Sequence, residues 1–261
     1  MARLQGKVAV ITGGSGGMGR AAAELFVREG GSVLIVDRDS DALDAAERAI
    51  GGDRLAGMQA DVTRPDAADA YVRLAEERFG GLDIALLNAG ITGLNTPIES
   101  YPLETWDEVM AVNVRAVWMG LKAAIPAIRR RGGGSIVMTS SIQGLSAMPG
   151  TSAYTTSKHA VVGMMKGAAL ELARDNIRVN AVVPGFADTP MMQRIHESAS
   201  PGAPQAVEDA LSATIPMRRY GRPEEIARLM LFLASDDGSY CTGGTYAADG
   251  GILASWGATP D

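Results

Sequence analysis

The chain has 261 residues, 46% of them hydrophobic, and a formal net charge of −6. That length gives room for one large α/β unit or two small ones, and the composition is that of a globular chain with a full core. The acidic balance argues against nucleic acid or an anionic membrane surface as the main partner.

Lys7 to Thr12 is a short apolar run that predicts a buried strand, followed by the glycine-rich Gly13–Gly19 and a helical pattern through Ala21, Leu25 and Phe26. Ser32 to Asp37 predicts a second strand, and Ser40 to Ile50 a helix with Ser40 as its N-cap. A shorter strand is expected to end near Asp61-Val62, then a helix from Pro65 to Phe79 with proline in its first turn. Leu82 to Leu87 predicts the fourth strand, ending in Asn88-Ala89-Gly90, and two helices are expected over 102–115 and 116–131. Arg129-Arg130-Arg131 before Gly132 fits a helix C-terminus, where cations complement the dipole, better than a binding patch. The remaining expectations are a strand over 136–140, a helix over 151–174, a strand from Ile177 to Val183, a helix from Pro223 to Ser235 and a last strand from Thr245 to Ala248.

Apolar runs alternating with helices predict βαβ units, hence an α/β doubly wound parallel sheet of the Rossmann type with helices on both faces. No long linker or internal repeat divides the sequence, so 1–261 is read as a single domain. Ligands on such sheets bind beyond the carboxyl ends of the strands. Gly13, Asp37, Asp61, Asn88, Ser141 and Pro184 all fall at those ends. One cysteine, Cys241, rules out an intrachain disulfide, the first six residues leave no room for a signal peptide, and no apolar run nears the ~20 residues that span a bilayer, so a cytoplasmic protein is expected. His159 and His196 have no ligand spacing, and no metal is expected.

The stretch 136–158 carries the chemistry. Tyr154 and Lys158 are four apart, so on a helix they project from one face. An ammonium beside a phenol is expected to lower the phenol's pKa and make it an acid–base group near neutral pH. Ser141, at the preceding strand's end, is placed to offer a hydroxyl to the same substrate oxygen. Taken singly these pieces are ordinary: a solvated helix face and a strand-to-loop junction. Their order, downstream of a glycine-rich turn, resembles the short-chain dehydrogenase/reductase family from about Lys7 to Gly251. The family's serine lies thirteen residues before its tyrosine, as Ser141 does before Tyr154, which selects Ser141 over Ser140.

The resemblance implies a nicotinamide cofactor and a catalytic set of Asn113, Ser141, Tyr154 and Lys158. Thr12-Gly13 with Gly17 and Gly19 follows the family's turn spacing, so Gly13, Ser15, Gly17, Met18 and Gly19 would cradle the pyrophosphate at a helix N-terminus. Asp37 would accept hydrogen bonds from the adenosine ribose and favour NAD over NADP. Arg38 beside it keeps NADP open, because a guanidinium could bind the extra phosphate. By the same resemblance Asp61 and Val62 would flank the adenine, and Asn88-Ala89-Gly90 would line the cofactor. Pro184-Gly185 with Ala187 and Thr189 would hold the nicotinamide carboxamide, and Lys158 its ribose. The Asn113 carbonyl, at a helix distortion, would hold a water near the lysine.

Thr189 to Ile215 reads as an irregular substrate lid. Gln143, Met148, Phe186 and Met192 are expected to wall the pocket with Ser141 and Tyr154, and so apolar a wall suits a cyclic or aryl-aliphatic secondary alcohol or its ketone. An NADPH-dependent ketoreductase resembling the 3-oxoacyl-carrier-protein reductases is the alternative, and a non-catalytic cofactor sensor or scaffold a more distant one. Family members are most often homotetramers, with the 102–131 and 151–174 helices at one interface. Trp256 in the tail is expected to pack on a neighbouring subunit.

Overall fold

The computed structural model describes residues 2–255. Its strands are β1 (Val8–Thr12), β2 (Ser32–Asp37), β3 (Leu55–Gln59), β4 (Ile84–Leu87), β5 (Gly134–Thr139), β6 (Ile177–Pro184) and β7 (Thr245–Ala248). They form one sheet in the order β3-β2-β1-β4-β5-β6-β7, and every pairing is parallel. The helices are α1 (Gly17–Arg28), α2 (Ser40–Ile50), α3 (Ala67–Phe79), α4 (Leu103–Met110), α5 (Ala116–Arg130), α6 (Ser152–Leu172), α7 (Pro190–Ala199), α8 (Pro204–Thr214) and α9 (Pro223–Ala234).

Parallel strands need crossovers, and the crossover helices cover both faces of the sheet. One apolar layer joins Val10, Leu34 and Ile136 to Tyr71 of α3, Leu121 of α5 and Met165 of α6. The opposite layer joins Ile11, Ile35 and Leu86 to Phe26 of α1, Leu43 of α2 and Met230 of α9. The central strands β1 and β4 are therefore buried at every residue, which is why they read as unbroken apolar runs. Each fully buried Ile, Leu or Phe contributes about 1.5–3 kcal/mol. This is the doubly wound architecture that the alternation of runs and helices predicts. The strand order reverses between β1 and β4, and the crevice at that switch point opens beyond the strands' carboxyl ends.

Several boundaries differ from expectation. β3 ends at Gln59, because Asp61 accepts bonds from the amide and the hydroxyl of Thr63 and turns the chain. The third helix begins at Ala67, two residues past Pro65. Asp39, not Ser40, caps α2, its carboxylate accepting from the Ala42 amide at 3.0 Å. The two helices expected over 102–131 are one continuous helical run, α4 and α5 joined by a π-turn at Ala111–Arg115. The stretch read as irregular, 189–215, contains α7 and α8, interrupted at Ser200–Ala203. As the three arginines suggested, α5 ends at Arg130, and Arg129, Arg130 and Arg131 pair with Asp175, Glu76 and Asp83. Trp256 lies outside the described residues.

Candidate active site

The glycine turn closes the end of β1. Gly13 takes φ +63° and donates its amide to the Val36 carbonyl at 2.8 Å, so the turn opens at Gly13, as the family's spacing implied. A Cβ on Gly19 would collide with the Gly13 carbonyl oxygen, and one on Gly13 would lie 3.0 Å from Ala89 Cα. A bare backbone cradle at the N-terminus of α1 is what a pyrophosphate requires, and the residues present fit a dinucleotide. Ser15, inside the turn, donates its hydroxyl to Asp37 Oδ2 at 2.6 Å. That bond aims the carboxylate at the end of β2 and ties it to the turn. Met18 packs half-buried against the core behind the turn. Arg38 and Arg64 stand close enough to Asp61 to help keep its pKa below the usual carboxylate range, although the Thr63 hydrogen bonds are the larger cause.

Asn88 fastens three strand ends together. Its amide NH2 donates to the Thr12 and Gly13 carbonyls at 3.3 Å, its Oδ1 accepts from the Thr139 hydroxyl at 3.0 Å, and its backbone amide donates to Thr12 Oγ1. Ala89 N donates to the same hydroxyl oxygen at 3.1 Å. Gly90 is bare for a reason on its other side, since a Cβ there would lie 3.3 Å from both Asn113 Oδ1 and Lys158 Nζ. At the far edge, Gly185 packs on the Asp249 backbone, and Thr189 caps α7 with its methyl group towards Gly17. Pro184 and Ala187 are buried between these contacts.

The adjacent serines turn opposite ways. Ser140 donates its hydroxyl to the Lys158 carbonyl at 2.9 Å and so binds β5 to α6. Ser141 Oγ instead accepts from the Gln143 amide at 3.2 Å and stands near enough to the Tyr154 phenol to draw its pKa down. Lys158 is 3% exposed, its Nζ donating to the Thr139 carbonyl at 3.0 Å and lying 5.5 Å from the centre of the Tyr154 ring. The sequence therefore brings serine, phenol and ammonium into one cluster. The electrostatics depart from expectation: burial pushes the phenol above its ordinary pKa, with only the neighbouring Ser141 pulling it down. Burial also lowers Lys158 to about 8. Desolvation outweighs the attraction between ammonium and phenolate when the lysine is itself dehydrated and aimed at a carbonyl.

Asn113 is fully buried in the π-turn, which rotates its side chain inward. Its Oδ1 accepts from the Ile91 amide at 2.8 Å, while Nδ2 donates to the Ile91 carbonyl at 2.8 Å and to Ser157 Oγ at 3.0 Å. Ser157 donates its hydroxyl to the Tyr154 carbonyl at 2.7 Å, so the asparagine is linked to the tyrosine's own backbone. Thr12, Thr139 and Ser157 were not singled out as site residues. Thr139 and Ser157 give no signal beyond being short polar residues next to ones that do.

Of the pocket candidates, Gln143 and Met148 are together, with Gln143 Nε2 donating to Met148 Sδ at 3.4 Å. The amide oxygen of Gln143 accepts from Thr151 and Thr155, so the side chain braces its own loop. Phe186 stacks on Tyr220 at 5.6 Å, and Met192 is half-buried on α7.

A family model described as enoyl-(acyl carrier protein) reductase matches residues 13–253. Levodione reductase of Leifsonia aquatica is 35% identical over 258 residues, 97% of each chain. The chain belongs to the short-chain dehydrogenase/reductase family. Another member of that family, 3-oxoacyl-[acyl-carrier-protein] reductase FabG of Thermotoga maritima, is 39% identical over 96% of this chain and 99% of its own. The crystal structure of levodione reductase covers 97% of this chain at a TM-score of 0.93 and 35% identity, with 99% of that chain matched. As a short-chain dehydrogenase/reductase, the protein is an oxidoreductase that works with a nicotinamide cofactor.

Proposed function

We propose that this enzyme interconverts a secondary alcohol and its ketone with NAD(H), and that the substrate is cyclic or aryl-aliphatic. The observation that carries the reading is the cluster of Ser141, the Tyr154 phenol and the buried Lys158, whose Nζ lies 5.5 Å from the phenol ring centre. The glycine turn, Asp37, Asp61 and Val62, Asn88–Gly90, Lys158 and the Pro184–Thr189 segment would hold the nicotinamide cofactor, which when bound would supply hydride transfer. Ser141 donates to the substrate oxygen as charge develops there, which lowers the barrier because the bond strengthens along the reaction. Tyr154 gives its proton to the substrate oxygen in reduction, and in oxidation takes the hydroxyl proton as its own passes on towards Lys158. Lys158, brought to about 8 by burial, can give or take a proton near neutral pH and so serves as the next station. The Asn113 carbonyl in the π-turn is the place from which a water would continue that path.

Asp37 supports NAD as the cofactor, because the Ser15 bond fixes its carboxylate at the end of β2, where it would repel a 2′-phosphate. The name levodione reductase, borne by a relative of nearly equal length, supports a cyclic ketone as the substrate class. Arg38 beside Asp61, together with the carrier-protein reductase among the relatives, favours the second reading, an NADPH-dependent ketoreductase. A cytoplasmic homotetramer completes the first.

The test is a panel of secondary alcohols and ketones followed by cofactor absorbance with NADH and NADPH. Efficiency should be higher with NADH, and a strong NADPH preference would replace the first reading by the second. Tyr154→Phe should lower kcat by about 10²–10⁴-fold, as loss of a general acid–base does, with NADH binding by fluorescence retained. Undiminished turnover in that variant would remove Tyr154 from its role.

A further inference from the structure

The flap formed by α7 and α8 is anchored at its two ends and at one point between. It leaves the body at Thr189 and rejoins it at Ile215, both buried. Between them His196 is the one buried side chain: α7 buries no other residue, and α8 buries none. Met191, Met192 and Ile195 are only half-buried. His196 Nε2 lies 2.9 Å from the Tyr220 hydroxyl, with ring centres 5.6 Å apart and planes at 58°. Burial, with Glu208 of α8 adding to it, pushes the Tyr220 phenol up to about 12, so its hydroxyl keeps its proton at working pH.

Tyr220 belongs to the rigid body. Gly221 donates its amide to the Phe186 carbonyl and accepts at its own carbonyl from Asp188 N, both at 2.9 Å, which pins the segment to the loop after β6. Arg219 next to it pairs with Glu225 at the start of α9. Phe186, stacked on Tyr220 at 19° between planes, leaves β6 beside the β5 end that carries Ser141. The chain of contacts runs from the active-site edge through Phe186 and Tyr220 to a single point on the flap.

We propose that His196 and Tyr220 form a clasp, a pair of positioning residues whose hydrogen bond holds the flap down over the Tyr154 site and so sets the affinity for substrate. This rests on the reading that substrate binds at Tyr154. Half-buried Met191, Met192 and Ile195 supply the flap's adaptable apolar surface, and the clasp fixes how far they reach inward.

The experiment joins hydrogen exchange with steady-state kinetics on the full chain. Tyr220→Phe keeps the stack on Phe186 and removes only the hydroxyl. It should speed amide exchange across 190–214 about five-fold, the loss of one hydrogen bond, with the strands unchanged. Substrate KM should rise by a similar factor while kcat and NADH affinity stay within about two-fold. His196→Phe should match Tyr220→Phe, and His196→Gln, which keeps a polar partner for the hydroxyl, should restore KM. A merely structural role would depress kcat and thermal stability together, without rescue by glutamine. Unchanged exchange in Tyr220→Phe overturns the clasp, and faster exchange with an unmoved KM overturns its link to substrate. A wild-type protein inert towards the whole panel sinks the dehydrogenase reading and the affinity half with it, leaving exchange alone to decide the clasp.

Discussion

Lys158 is a buried polar side chain whose charge the fold disfavours: it is 3% exposed and brought to about 8 by loss of hydration. A lysine that titrates lower in the folded than in the unfolded chain binds fewer protons when folded, so folding gains stability as pH climbs from about 8 to the unfolded value near ~10.5. Below 8 the whole penalty is present. Lys158→Met removes it, less the lost bond to Thr139, and should stabilise the fold at pH 7 by about 2 kcal/mol while abolishing turnover. In denaturant titrations that advantage should shrink between pH 8 and 10.5, and a variant less stable than wild type at pH 7 would contradict it. The family's spacing to Tyr154 is what picks Ser141 over Ser140 in the sequence, and the fold turns Ser140 to the Lys158 carbonyl and sets Ser141 by the phenol. The upward shift of the phenol was not, because how much water the cluster loses depends on what α6 packs against.

The π-turn at Ala111–Arg115 is where element and site meet. Asparagine is a poor helix former, and here it buys three buried hydrogen bonds instead, to Ile91 N, Ile91 O and Ser157. Asn113→Ala strands all three partners and should cost about 2–4 kcal/mol, a fall in Tm of roughly 5–10 °C by calorimetry. An unchanged Tm would mean that water replaces the amide. Sequence located the distortion through this residue but split the run into two helices, since nothing local distinguishes a π-turn from a break. The flap helices were missed although Pro190 and Pro204 each stand at a first helical position, a recognised start signal. The short apolar content of that stretch, which buries only His196, hid the period.

For the whole molecule, the α4–α5 run and α6 leave an open groove of about 490 Å³ lined by Met110, Val114, Trp118 and Met164. Trp118 is 51% exposed, with Lys122 Nζ 5.5 Å from its ring. Light scattering should find tetramers, and Trp118→Asp should yield smaller species with unaltered circular dichroism; a wild-type monomer would refute the assembly. The alternation of strands and helices made the sheet readable from sequence, whereas surface groove and partner depend on side chains brought together from distant positions. The strand order has one more consequence, in time rather than space. Thr12 meets Asn88 across 76 residues, and β1–β4 are complete before Ser141, Tyr154 or Lys158 exists on a chain made from its N-terminus. The ribosome therefore makes the glycine turn and Asn88 first, Ser141, Tyr154 and Lys158 later and the Pro184–Thr189 segment after them, so a chain halted near residue 100 carries the glycine turn with no chemistry attached.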